Sequence, residues 1–162
     1  ELVTKFILPA WTAVKHSLVS KTNTIDKKTA SQLHLSPSDF GMHNILWNND
    51  KAFFVDFEYS GLDNLAKLVN DFFTCPEIPV SEAKRNIFIK HISDSMGFGD
   101  NFYSFCDMLR DLYTVKWLCI ILNEFVSGQN DAKKSQFASN ESTAERKQKR
   151  LETAKKLLQR LH

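Results

Sequence analysis

The sequence predicts a mainly α-helical fold carrying one small antiparallel β-hairpin. Apolar residues recur at helical spacing through most of the chain. Two short apolar runs, Ile45-Leu46-Trp47 and Ala52-Phe53-Phe54-Val55, flank the turn-forming Asn48-Asn49-Asp50-Lys51, which is a hairpin signal. Hydrophobic residues make up 43% of the 162, enough for the core of one domain, with thirteen Phe and three Trp as large burial candidates.

Pro9 suits the first turn of a helix over 9–20, on which Trp11, Val14 and Leu18 share a face. Ser20 to Ala30 is polar and reads as a loop or a short, weak helix. Gln32 to Leu35 is a short strand candidate, and Ser36-Pro37-Ser38 turns the chain. Beyond the hairpin, Leu65, Leu68, Val69, Phe72 and Phe73 form the stripe of a helix over 63–73, ended by Thr74-Cys75-Pro76. Ser81 is placed to cap a helix running to Met96, and Gly97 to close it. Asn101 to Val126 is apolar on nearly all sides, as a buried central helix or helix pair would be. Residues 127–140 read as a polar linker. Ser142 and Glu145 compose a capping box for an amphipathic helix within 141–162, with Leu151, Ala154, Leu158 and Leu161 on the face that packs against the body.

The net charge of +2 points to no nucleic-acid partner. Residues 127–162 hold nine Lys/Arg against four Asp/Glu, which reads as a solvated basic helix face. No apolar run reaches the ~18 residues of a membrane span; the stretch Val115 to Val126 is broken by Lys116, Asn123 and Glu124. The three cysteines are an odd number without CxxC spacing, and Cys106 and Cys119 sit in apolar surroundings. They read as small hydrophobes in a reducing, cytoplasmic compartment. His34 and His43 lie nine apart without a Cys or third His nearby, so they read as loop histidines rather than metal ligands.

One spacing pattern carries chemistry. Asp39 precedes Asn44 by five residues, and the hairpin then leads to Val55-Asp56-Phe57-Glu58. Phosphoryl transfer needs a carboxylate to take the acceptor proton and hard oxygen ligands for Mg²⁺, which Asn and Asp supply. With 11 Asp and 11 Asn in the chain the five-residue spacing alone carries no weight; chance supplies about 0.7 such pairs. Its weight comes from the turn before Asp39, the hairpin after Asn44, and Asp56 at the end of an apolar strand expected to be buried. A charge there calls for a partner or a metal.

The stretches Leu35-Ser36-Pro37-Ser38-Asp39-Phe40-Gly41-Met42-His43-Asn44-Ile45-Leu46 and Phe54-Val55-Asp56-Phe57-Glu58-Tyr59-Ser60-Gly61-Leu62-Asp63 resemble the aminoglycoside phosphotransferase / choline kinase-like family. Its pattern is His-Gly-Asp-x4-Asn, then Ile-Asp-Phe-Glu, then Gly-x-Asp. Lys67 to Phe72 and Lys116-Trp117…Ile120…Leu122 to Phe125 resemble later helices of that family. The resemblance covers about residues 5–126, most specifically 35–73. It implies the C-terminal lobe of a protein-kinase-like α+β fold over 1–126, with a catalytic loop at 35–44 and a metal-loop hairpin at 45–58. It implies ATP and Mg²⁺ as cofactors and a small-molecule hydroxyl as acceptor. Asp39 would be the catalytic base, and Asn44 and Asp56 the Mg²⁺ ligands. Glu58 would steady the metal loop. Asp63 would support the loop or cap the next helix, as Asp before an apolar helix ordinarily does. One departure stands out: Pro37-Ser38 replaces His-Gly, and Pro37 supplies rigidity but no hydrogen-bond donor.

A kinase of this family also has a β-rich lobe with a phosphate-covering loop and a Lys–Glu pair before the catalytic loop. Only 38 residues precede Asp39, and the first is Glu1 rather than Met. Gly97-Phe98-Gly99-Asp100 follows the catalytic loop and reads as a helix cap. The expectation is a catalytic lobe excised from its nucleotide lobe and inactive alone. The alternatives are a non-enzymatic remnant or pseudokinase-like binding module, or a helical interaction domain in which the Asp/Asn pattern is accidental.

Overall fold

The long helical stripes decide the architecture, and one of them, near the C-terminal half, becomes its axis. The computed structural model describes residues 1–24, 27–126 and 142–161. A π-helical turn over Val3–Ile7 runs into α1 (Leu8–Lys21), with Pro9 at the junction of the two. A 3₁₀ turn at Thr22–Thr24 and the short α2 (Lys27–Ser31) lead to β1 (His34–Ser36).

The predicted hairpin forms from β2 (Ile45–Asn48) and β3 (Lys51–Phe54), with Ile45 opposite Phe54 and Asn48 opposite Lys51. Between them Asn49 and Asp50 take φ of 47° and 60°. Two successive left-handed residues make a type I′ turn, which matches the twist of the strands and which Asn and Asp tolerate. A second two-stranded sheet pairs β1 with β4 (Gly61–Asp63), Leu35 opposite Leu62. Three residues are too few to show alternation, so β4 leaves no pattern in the sequence. The hairpin corrects one expectation: β3 is exposed along its whole length, with Phe53 and Phe54 about half exposed. Asp56 therefore does not end a buried strand.

Helices α3 (Leu65–Thr74), α4 (Arg85–Met96), α5 (Asn101–Leu122) and α6 (Thr143–Leu158) complete the described elements. The N-terminal half of α5 puts Phe102 and Cys106 against Ala66, Val69, Phe72 and Phe73 of α3 and Ile89 of α4. Its C-terminal half puts Trp117, Leu118 and Ile121 against Ile7, Cys75, and Ala154 and Leu157 of α6. Burial holds the Cys106 thiol protonated, its pKa pushed up to about 12. Cys119 is exposed, in the expected apolar surroundings of a groove lined by Ile7, Leu122 and Leu151. No helix among the described residues is long and apolar enough to cross a membrane.

The helix caps divide into confirmed and displaced ones. Ser142 and Glu145 make the predicted capping box, and Gly97 closes α4 in the left-handed conformation at φ 68°. Ser81 makes no side-chain cap bond; a 3₁₀ turn at Glu82–Lys84 precedes α4 instead. The cap of α3 is Asn64, not Asp63: its Oδ1 accepts from the Ala66 N–H at 2.8 Å. Its Nδ2 donates to the carbonyls of Thr29, Ala30 and Gln32 at 2.9–3.2 Å, so one side chain starts α3 and ends α2. Asn64→Ala removes both roles and is expected to cost about 2 kcal/mol. The thermal midpoint should fall by about 4–8 °C, and a fall below 1 °C would show the cap to be dispensable. The expected linker at 127–140 lies outside the described residues.

Candidate functional site

The loop carrying Asp39 is built on strained backbone. Ser38 has φ 67°, and the Asp39 N–H donates to the Pro37 carbonyl at 2.9 Å. A bond from residue i+2 to i around a left-handed centre is a γ-turn, which costs a residue with a Cβ on the order of 1 kcal/mol or more. Asp56 is likewise left-handed, at φ 64°. Such residues persist only where their surroundings over-determine them.

The surroundings of Asp39 do so on several sides. Phe40 stacks on Phe72 at 5.0 Å and on Phe54 at 5.7 Å, anchoring the loop to α3 and the hairpin. The His43 Nε2 lies 3.5 Å from the Asp39 carboxylate, and its Nδ1 lies 3.6 Å from the Cys75 thiol. That ring rests on Gly41, where a Cβ would come within 2.6 Å of it. From α3, the Lys67 ammonium donates to the Ser38 carbonyl at 2.8 Å and to its hydroxyl at 3.1 Å.

Two hydrogen bonds link Asp39 to Asn44 and Asn44 to the neighbour of Asp56. The Asn44 Nδ2 donates to the Asp39 carbonyl at 3.0 Å, and the Asn44 carbonyl accepts from the Val55 N–H at 3.0 Å. Asp56 is the next residue. Oδ1, an amide oxygen, is the Asn44 side-chain atom able to ligate a hard cation. Tyr59 senses the same cluster: a hydrogen bond and the charge of Glu58 raise its phenol above the ordinary value, with smaller contributions from Asp56 and Asp39. Asp39 and Tyr59 line the same cavity.

Of the two roles expected of Asp63, capping α3 falls to Asn64, and supporting the loop is the one it keeps. The contact of Glu58 is to Tyr59. Asp63 pairs with Lys67 at 2.9 Å and reaches the loop through that lysine. Lys67 also pairs with Asp71 at 3.1 Å, and Asp71, only 1% exposed, takes a second ammonium from Lys116 of α5. Burial lowers the Lys67 pKa, but Asp63 and Asp71 outweigh it and leave the pKa raised. Lys67, Asp71 and Lys116 escaped the sequence reading as site residues. The signal available was the i, i+4 ladder of Asp63, Lys67 and Asp71, together with a lysine interrupting an apolar helix.

A cavity of about 260 Å³ opens beside the loop, lined by Ser38, Asp39, Tyr59, Lys116, Trp117 and Ile120. The donor atoms at Asn44 and Asp56 are hard oxygens at an accessible position, the kind Mg²⁺ takes. Among the described residues no three or more His, Cys, Asp or Glu side chains converge as a cation site. Asn44 and Asp56 thus offer two hard oxygen donors and no closed protein cage, so a Mg²⁺ held there would need phosphate oxygens and water for its remaining ligands. Comparison with protein-family models, curated proteins and solved structures returns no match.

Proposed function

We propose that this chain is the catalytic lobe of a phosphotransferase that moves the γ-phosphoryl group of ATP to a hydroxyl of a small molecule. One observation carries the reading: a continuous path of hydrogen bonds runs from the Asp39 carbonyl through Asn44 to Val55, beside Asp56. These bonds link the loop of Asp39, which lines the cavity, to the segment that carries Asp56; on this reading Asp39 is the proton acceptor and Asn44 and Asp56 are the Mg²⁺ donors. Mg²⁺, when bound, neutralises charge on the phosphates. The acceptor hydroxyl would sit in the cavity against Trp117 and Ile120, within reach of Asp39. As its oxygen bonds to the γ-phosphorus and the bond to ADP breaks, its proton passes to the Asp39 carboxylate. The nucleotide lobe would come from outside residues 1–162. The free thiols Cys75, Cys106 and Cys119 suit a reducing, cytoplasmic setting.

The second reading, a kinase-like binding module without catalysis, draws on the lack of a three-carboxylate cation site among the described residues. Paramagnetic Mn²⁺ added with ATP distinguishes the two. The phosphotransferase reading expects selective broadening of the Asn44 and Asp56 amide resonances relative to those of α6, and its loss in Asp56→Asn. No broadening, or broadening spread evenly over the chain, would favour the binding module.

A further inference from the structure

We propose that Lys67 is the positioning residue of the Asp39 loop, its ammonium holding the Pro37–Ser38–Asp39 γ-turn in its left-handed form and so fixing the direction in which Asp39 presents its carboxylate. Serine has no intrinsic preference for φ 67°, and the bonds within the Ser36–Asp39 turn are two: Asp39 N–H to the Pro37 carbonyl and Ser38 N–H to the Ser36 hydroxyl at 3.1 Å. Lys67 adds two more from a different element, one to the Ser38 carbonyl and one to its hydroxyl. A rigid helix is a better anchor than the loop itself.

The alternative purpose for Lys67 is to neutralise Asp71. Asp71 already has the Lys116 ammonium on its Oδ1, while Lys67 is on Oδ2. Charge balance alone thus leaves the contacts to Ser38 unexplained. Asp63 and Asp71, one turn to either side of Lys67, hold its ammonium from two directions and leave its donors aimed at the loop. Lys116 also lines the cavity beside Asp39. The cavity wall and the loop are therefore joined through one buried carboxylate and one ammonium.

This assignment rests on the phosphotransferase reading only in treating Asp39 as the proton acceptor; the loop geometry is tested without turnover. The measurement is amide hydrogen exchange in the intact chain. Lys67→Met is expected to speed exchange of the Asp39 amide by at least about tenfold, while the Phe102 and Cys106 amides of α5 keep their protection. Should Lys67→Met fail to fold because Asp71 has lost a cation, the Lys67→Met/Asp71→Asn pair removes the anion too and is expected to show the same loss. Asp71→Asn alone keeps Lys67 on Ser38 and Asp63 and should leave Asp39 protected. Ser38→Gly added to Lys67→Met should restore part of the protection, since glycine takes the left-handed turn without strain. Asp39 exchange within twofold of the parent in the folded Lys67 variants would overturn the proposal. Faster exchange in a protein that transfers no phosphate would keep it and sink the phosphotransferase reading instead.

Discussion

Asp39→Asn, in a protein carrying both lobes, is expected to slow phosphoryl transfer from Mg-ATP by about 10²–10⁴-fold, the usual worth of a positioned general base. The loss should fall on kcat, with KM for Mg-ATP little changed, because the carboxylate acts on the acceptor proton. The substitution is a clean probe of chemistry. Asn44 bonds to the main-chain carbonyl of residue 39, not to its side chain, so the loop keeps that support. Asp56→Asn should go further and abolish Mg²⁺-dependent turnover with the fold intact, since Asp56 is exposed and outside the core. Initial rates at saturating Mg-ATP decide both. A variant within threefold of the parent would remove that residue from its role.

Leu157→Ala should produce the largest loss of stability from a single truncation in the C-terminal helix. Leu157 is 1% exposed and packs with Ile7, Trp117, Leu118 and Ile121. Truncating a buried leucine costs about 2–5 kcal/mol, or about 5–15 °C in the midpoint at this chain length. The half-buried Leu151 at the rim should cost well under half of that. The basic residues of α6 are partly tied down as well: Arg146 pairs with Glu124 at 2.7 Å and Arg150 with Glu77 at 2.6 Å. An unchanged midpoint in Leu157→Ala, with weakened binding to a polyanion after deletion of 142–162, would restore the idea of a free basic arm.

Leu157 also shows where the sequence was hard to read. Leu151, Ala154, Leu158 and Leu161 form a plausible stripe, and Leu158 and Leu161 do pack at the core edge, but the deepest positions are Ala154 and Leu157. A helix with leucines at 157 and 158 leaves the centre of its face open by about a hundred degrees, and only the partner settles it. The α3 cap moved by one residue for a related reason: Asp63 and Asn64 are both good caps, and Lys67 claims the first. Burial of the hairpin could not be read at all, because apolar strands look the same covered or bare. At the site, the short-range links are between elements adjacent in sequence: Asn44 bonds to the carbonyl of Asp39 and to the N–H of Val55, the neighbour of Asp56. Lys116 meets Asp71 across 45 residues through the packing of α3 on α5, which no local pattern encodes.

The γ-turn at Ser38 sets an order of events for a chain emerging from the ribosome. Asp39, Asn44 and the hairpin are released before Lys67 exists, and Lys67 lies 29 residues beyond Ser38. On the role proposed for Lys67, the strained turn would until then relax to ordinary backbone. When α3 emerges, Lys67 arrives with Asp71, which still lacks Lys116 and the helix that buries it. Only when α5 is made do Phe102 and Cys106 cover α3 and fix the helix that carries Lys67 in place. A chain stalled during synthesis of α5 therefore holds every expected site residue and yet no site. The geometry around Asp39 is among the last local structures to be acquired, although its residues are among the first to be made.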